Sequence, residues 1–210
     1  VEVVYGTDIS TTIDNLIPNT TYYVRVFITN SLGEFYGNEM EFSTQDTGIP
    51  SDCDVVYLDE NGVTVKACPD ANIGDIGIID GVEYTVVDRE MLQYYTTIPN
   101  YDISKACVTR VTNMYRIFLD CQSPSCYISD YPNRIKGWDV SNVTDMSAMF
   151  AGIPFFNGID LSYWDVSNVT DMSDMFAACD IPTWATPQQF ISIENWDVSN
   201  VTNMSGMFSY

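Results

Sequence analysis

The side chains able to do chemistry are 29 acidic residues and six cysteines (Cys53, Cys68, Cys107, Cys121, Cys126 and Cys179), in a composition without histidine. Lacking imidazole, the chain has neither the commonest general base nor the commonest transition-metal ligand, and every triad built on histidine is excluded. Carboxylate-pair hydrolysis needs two acids facing each other across a cleft, and the spacing of Asp and Glu singles out no such pair. No catalytic residue and no enzymatic activity are expected. Asp59-Glu60-Asn61-Gly62 has the opening of a calcium loop but not the further oxygen ligands or the terminal Glu in register, so it reads as a turn. Neither a metal site nor a cofactor is expected.

The cysteines contain no CxxC pair, and without histidine they do not form a zinc set. Disulfides in an oxidising, extracytoplasmic location are the better reading. Cys53 and Cys68 bracket a hairpin around Asn61-Gly62, and Cys121 and Cys126 close a short loop around Pro124. The pairing of Cys107 and Cys179 stays open. A net charge of -21 repels phosphate backbones and anionic membranes, so nucleic acid is not an expected partner. No run approaches the ~18 apolar residues of a membrane span, and no signal-peptide pattern follows Val1. The chain therefore reads as an internal or processed segment of a longer polypeptide, with further modules at both ends.

Three segments position these groups. Residues 1–46 alternate apolar and polar side chains from Tyr22 to Ile28, with turn signals at Pro18-Asn19 and Leu32-Gly33. At Leu16, Pro18, Thr20, Tyr22, Val24, Arg25, Val26, Asn30 and Gly33 this segment resembles the second half of a fibronectin type III domain. The resemblance implies a β-sandwich whose opening strands precede Val1, with the Tyr22 hydroxyl bonding back to nearby backbone. Gln45 to Pro50 reads as a linker. Residues 51–105 read as a β-rich cap. One hairpin is centred on Asn61-Gly62, a second joins Ile76–Ile79 to Val82–Val87 through Asp80-Gly81, and a short helix capped by Asp88 runs to about Tyr95.

Residues 106–210 carry a repeat. The phrase from Trp138 to Phe150 recurs from Trp164 to Phe176 and from Trp196 to Phe208, at spacings of 26 and 32 residues, and a degenerate copy runs from Val108 to Phe118. Such a period is the mark of a solenoid. Met146, Met149 and Phe150 stand at helical spacing, which predicts one short helix per repeat with Thr144 at its N-cap. The triplets ending at Ile135, Leu161 and Ile193 predict one short parallel strand per repeat, with Arg134, Asp160 and Ser192 facing outward as candidate ligand-binding positions. The repeat core is expected at Trp138, Met146, Phe150, Trp164, Met172, Phe176, Trp196, Met204 and Phe208. Seven of nine methionines and three of four tryptophans fall at repeat positions, so they need no cofactor role. The sequons at Asn142, Asn168 and Asn200 read as stacked solenoid asparagines. Ile181 to Pro187 is an insertion between copies, of the kind that solenoids tolerate.

This region resembles the BspA-type leucine-rich-repeat surface proteins, in the branch of unknown function with the WDVSNVTDM signature. The fold class expected is mainly β: a partial fibronectin type III sandwich, a hairpin cap and a solenoid of about four repeats. The resemblance implies display on the bacterial cell surface as an adhesin-like module that contacts a protein or glycan, and in Bacteroidota export by type IX secretion. A passive spacer or stalk is the alternative; the non-catalytic arm of a polysaccharide-degrading enzyme is a second.

Overall fold

The computed structural model describes residues 12–13, 16–17, 19–44, 48–50, 52–98, 101–118, 134–153, 160–179 and 192–209. The chain divides into two compact units, Val1–Ile49 and Pro50–Tyr210, and its regular structure is mainly β. Cys121, Cys126, Asn133, Ile159, Ile191 and the insertion from Ile181 to Pro187 lie outside the described residues.

In the first unit, strands β1 (Thr21–Asn30) and β2 (Gly33–Ser43) pair antiparallel, with Tyr22 opposite Phe42, Val24 opposite Met40 and an irregularity between Arg25 and Phe27. The turn closes because the Asn30 carboxamide oxygen accepts from the Leu32 N–H at 2.8 Å. The Tyr22 hydroxyl accepts from the Ile17 N–H at 2.8 Å, the backbone bond that the resemblance implies for this tyrosine.

The second unit opens with two hairpins. Strands β3 (Val56–Leu58) and β4 (Val65–Ala67) pair antiparallel, and the expected Cys53–Cys68 disulfide closes the base with a Cα separation of 5.9 Å. Strands β5 (Ile76–Ile79) and β6 (Val82–Val86) meet at Asp80-Gly81, both of positive φ, as a two-residue hairpin turn requires. Helix α1 (Arg89–Thr97) follows, its Asp88 cap accepting from the Met91 N–H at 2.8 Å. Strand β7 (Ala106–Cys107) then pairs in parallel with β6. Val65, Ala67, Cys68, Val86 and Cys107 make a small core here.

From Ile103 onward, successive copies lie on one another in register. Parallel bridges join Asn113 to Asp145, Asp145 to Asp171 and Asp171 to Asn203. This corrects the expected place of the parallel strands. The parallel bridges run through the Thr-Asp-Met part of each copy, not through the triplets before each tryptophan. Those triplets contribute the core residues Ile135 and Leu161, and Ile193 packed against them.

The stretch predicted as a helix is a chain of tight turns. Met149 N–H bonds to Met146 O at 3.2 Å and Ile153 N–H to Phe150 O at 3.2 Å. Between them, Met146, Ala148, Phe150 and Gly152 donate to Asp171, Ser173, Met175 and Ala177 of the next copy. A helix would spend those N–H groups within the copy; here the neighbouring copy accepts them, so the backbone is satisfied without one. Arg116, Ala148, Asp174 and Gly206, one in each copy, all take positive φ at the same turn position.

The core is a set of ladders. Phe118, Phe150, Phe176 and Phe208 stack at 5.4 Å per step, and Trp138, Trp164 and Trp196 at 6.5 and 6.4 Å. Met114, Met146, Met172, Met149 and Met175 are fully buried beside them. Full burial of each such side chain contributes about 1.5–3 kcal/mol. In the last copy, Met204 and Phe208 remain 42% and 47% exposed. Both were expected in the core, but among the described residues only the preceding copy covers them.

Candidate functional site

Two features of the repeat determine which polar groups face outward. Each tryptophan Nε1 donates to a core carbonyl one copy back: Trp138 to Ile103 at 3.2 Å, Trp164 to Ile135 at 3.0 Å and Trp196 to Leu161 at 3.1 Å. Each asparagine at the next corner does likewise, Asn142 to Thr109 O, Asn168 to Ser141 O and Asn200 to Ser167 O, at 2.7–2.9 Å. The threonine hydroxyls repeat the device, Thr144 to Thr112 O, Thr170 to Thr144 O and Thr202 to Thr170 O. Side chains that look free in sequence are thus the links between copies.

The residues expected to face a ligand are also tied inward. Arg134 lies beside Asp102 at 3.9 Å and reaches the Tyr101 carbonyl at 3.5 Å. Asp160 pairs with Lys136 at 2.7 Å and accepts from the Ser162 N–H and hydroxyl. Partial burial works to raise the Asp160 carboxyl, but the bonds from Lys136 and Ser162 outweigh it and hold it below the usual carboxylate range. Ser192 is half-buried. The three occupy equivalent positions in successive copies, and each of the two charged ones is engaged by a separate partner.

Sequence reasoning passed over a cleft of about 140 Å³ where the β3–β4 hairpin meets the first full copy. From the hairpin it is lined by Asp59, Asn61, Thr64 and Lys66, and from the repeats chiefly by Asp139, Ser141, Tyr163 and Asp165. The junction is fixed by the Val65 N–H to Gly137 O bond at 2.9 Å and the parallel bridge from Val65 to Trp138. Gly137 permits this approach, because a Cβ there would stand 2.6 Å from Val63 O. One copy later the equivalent position is Tyr163, which forms part of the wall. A usable signal was the Asp-x-Ser motif at 139–141 and 165–167. In each, Oδ1 of the aspartate accepts from the serine N–H, at 3.3 and 3.1 Å, which pins the carboxylate at a turn.

The hairpin turn itself is closed by Asn61, whose Oδ1 accepts from Val63 N–H and Thr64 N–H at 2.9 and 2.8 Å, while Asp59 pairs with Lys66 at 3.1 Å. The Asp59–Gly62 stretch is therefore used as a turn. Among the described residues no group of three His, Cys, Asp or Glu is placed to hold a metal ion, and no helix is long and apolar enough to cross a membrane. Cys107 is buried and occupies the position that Asp139 holds one copy later; its thiol lies 3.6 Å from the Thr109 hydroxyl, and burial pushes its pKa up.

Register, ladder and repeat boundaries together invite comparison with known repeat families. Residues 125–210 match the family described as "Mycoplasma protein of unknown function, DUF285". The match covers the three full copies and fits, in coarse terms, a BspA-type repeat protein. No curated protein and no solved structure matches the chain. The DUF285 description carries no activity, so the chemistry must be argued from the surface of the stack.

Proposed function

We propose that the chain is a non-catalytic extracellular module of a multidomain bacterial surface protein. In this reading the second half of a fibronectin type III domain (1–46) precedes a cap (51–105) and a leucine-rich-repeat-like solenoid (106–210) of the BspA type, which contacts a surface protein or glycan. The observation that carries it is the division of labour within each copy. The tryptophans, methionines and phenylalanines are consumed by ladders, so what varies outward from copy to copy is a continuous face and not a pocket of reactive groups.

The spacer reading draws on one specific observation: Arg134 and Asp160 already hold internal partners. A glycan array and a pull-down with the whole chain, repeated with Arg134→Ala and Asp160→Ala, decide between the two. A partner whose affinity drops at least tenfold in either variant is expected. A partner indifferent to both, or none at all, leaves the spacer.

A further inference from the structure

Three carbonyls on the leading edge of the repeat stack are covered by side chains of helix α1. In the full copies, the carbonyls of Asp171, Ser173 and Met175 accept from the N–H groups of Met146, Ala148 and Phe150 in the copy before, at 2.7–2.9 Å. Those of Asn203, Ser205 and Met207 accept in the same way from Met172, Asp174 and Phe176, each at 2.9 Å. In the degenerate first copy the register makes Asn113, Tyr115 and Ile117 the corresponding carbonyls. Arg89 donates to the first two, from Nη1 at 3.0 Å and from Nη2 at 2.7 Å. The Thr96 hydroxyl, which also bonds Gln93 O at 2.7 Å, reaches the third at 3.1 Å. Positions 89 and 96 lie two helical turns apart on one face of α1. Between them Leu92 enters the repeat core, with Met91 and Tyr95 packed against it. Helix α1 therefore stands where a preceding copy would, and its side chains replace that copy's backbone donors.

The opposite edge carries what this edge would receive. In the copy from Trp196 to Phe208, the N–H groups of Met204, Gly206 and Phe208 correspond to the donors just named, and none has an acceptor among the described residues. They share the order and register of the Asn113, Tyr115 and Ile117 carbonyls, because both edges belong to one ladder. The apolar groups match as well: Met204 and Phe208 are 42% and 47% exposed, and their equivalents Met114 and Phe118 line the edge under α1. Two chains can thus meet head to tail, the donor edge of one on the acceptor edge of the other. Two donor edges cannot pair through these groups, nor can two acceptor edges. A head-to-tail contact is heterologous and runs on into a filament unless its rotation closes a ring. An uncovered edge of this kind is a template for association, and α1 covers it.

We infer that the edge under α1 is a docking surface for a second copy of this chain, offered through its Trp196–Phe208 copy, and that Arg89 holds the surface shut. The contact does not depend on any ligand of the outward repeat face. The test is light scattering on the full chain at high salt, where repulsion between molecules of net charge -21 is screened. The parent should have the mass of one chain. Arg89→Ala with Thr96→Ala should show twice that mass or more, rising with concentration. Adding Phe208→Asp, which puts a charge on the donor edge, should restore the mass of one chain. That triple variant has its acceptor edge open and its donor edge blocked, the reverse of the parent, so mixing the two should give a one-to-one pair and nothing larger. Adhesion of a loosened protein would not stop at a pair. Circular dichroism checks that each variant is folded. Where the double variant is not, Arg89→Lys, whose single ammonium leaves one carbonyl uncovered, takes its place in every arm. The inference is overturned if the parent associates as strongly as the variant, if a folded open-edge variant keeps the mass of one chain, if Phe208→Asp leaves the assemblies intact, or if no pair forms with the parent.

Discussion

A single asparagine in each copy carries more structural duty than its exposed position suggests. Asn168 Nδ2 donates to Ser141 O at 2.8 Å, and Asn142 and Asn200 repeat the bond in their copies. In the degenerate first copy Arg110 stands at this corner, and its guanidinium spans the carbonyls of Cys68 and Pro69 at 2.8 Å each. A short amide suffices to bridge copies whose corners coincide; reaching the hairpin before the first copy takes a longer fork. Asn168→Ala should therefore destabilise the chain by about 1 kcal/mol, the net worth of one intramolecular hydrogen bond. Denaturant unfolding measures this directly, and a change near zero would mean that water replaces the amide without loss. The same bonds bear on the three sequons: an attached glycan would replace one of the two hydrogens of the Nδ2 donor that each of them uses.

At the scale of elements, the governing problem is the edge of the stack. Within it, each copy donates N–H groups to the following one, so the first copy presents acceptors to nothing of its own kind. Helix α1 supplies the remedy: Arg89 donates to Asn113 O and Oδ1 at 3.0 and 3.1 Å and to Tyr115 O at 2.7 Å. Arg89→Ala should cost about 2 kcal/mol, since charge-assisted bonds at a partly exposed site are lost together, and Arg89→Lys should recover little, because one ammonium cannot span both carbonyls. The disulfide acts at the same scale. Replacing Cys53 and Cys68 by serine opens a loop of 15 residues and should cost about 3 kcal/mol; a double variant unfolding at the parent midpoint would contradict this.

The hairpins and the Asp88 cap were legible because Asn-Gly, Asp-Gly and Asp before a short helical run are local signals with local causes. The turns of the repeat were not. Met146, Met149 and Phe150 have helical spacing, yet consecutive tight turns put them on the core equally well, and only the acceptors of the next copy decide between the two. The positive φ that marks the turn is carried by Arg116, Ala148 and Asp174, and only the last copy writes it as a glycine, Gly206. The cleft was illegible for a related reason. Asp59 and Asp139 belong to distant segments, and nothing in either announces that Val65 and Gly137 bring them together.

Over the whole molecule, a net charge of -21 sets two opposing responses to solution conditions. Like charges on a compact surface repel, and at neutral pH that repulsion works against folding. Added salt shortens the Debye length to about 8–10 Å near physiological strength, so the melting temperature at pH 7 should rise with sodium chloride. Acid acts in the other direction on particular groups. Asp171 is held below the usual carboxylate range first by the Ser173 hydroxyl, and Asp197 by the Ser199 N–H; the Lys136 and Ser162 bonds do the same for Asp160 against partial burial. A depressed pKa in the folded state means that the unfolded chain binds protons first. The stability these carboxylates contribute is present above the unfolded value of about 3.9 and is lost as pH falls through the lower folded value. Lowering pH also removes net charge, which relieves repulsion, so the two effects must be separated. At high salt the repulsion is already screened while the short bonds are not. Under those conditions the melting temperature should stay level from pH 7 to about 5 and fall below about 4, and Asp171→Asn should lower the plateau while making the acid limb shallower. A melting temperature that rises steadily into acid at high salt would show that the carboxylates are liabilities in this fold, and not the turn-fixing acceptors that their serine bonds make them.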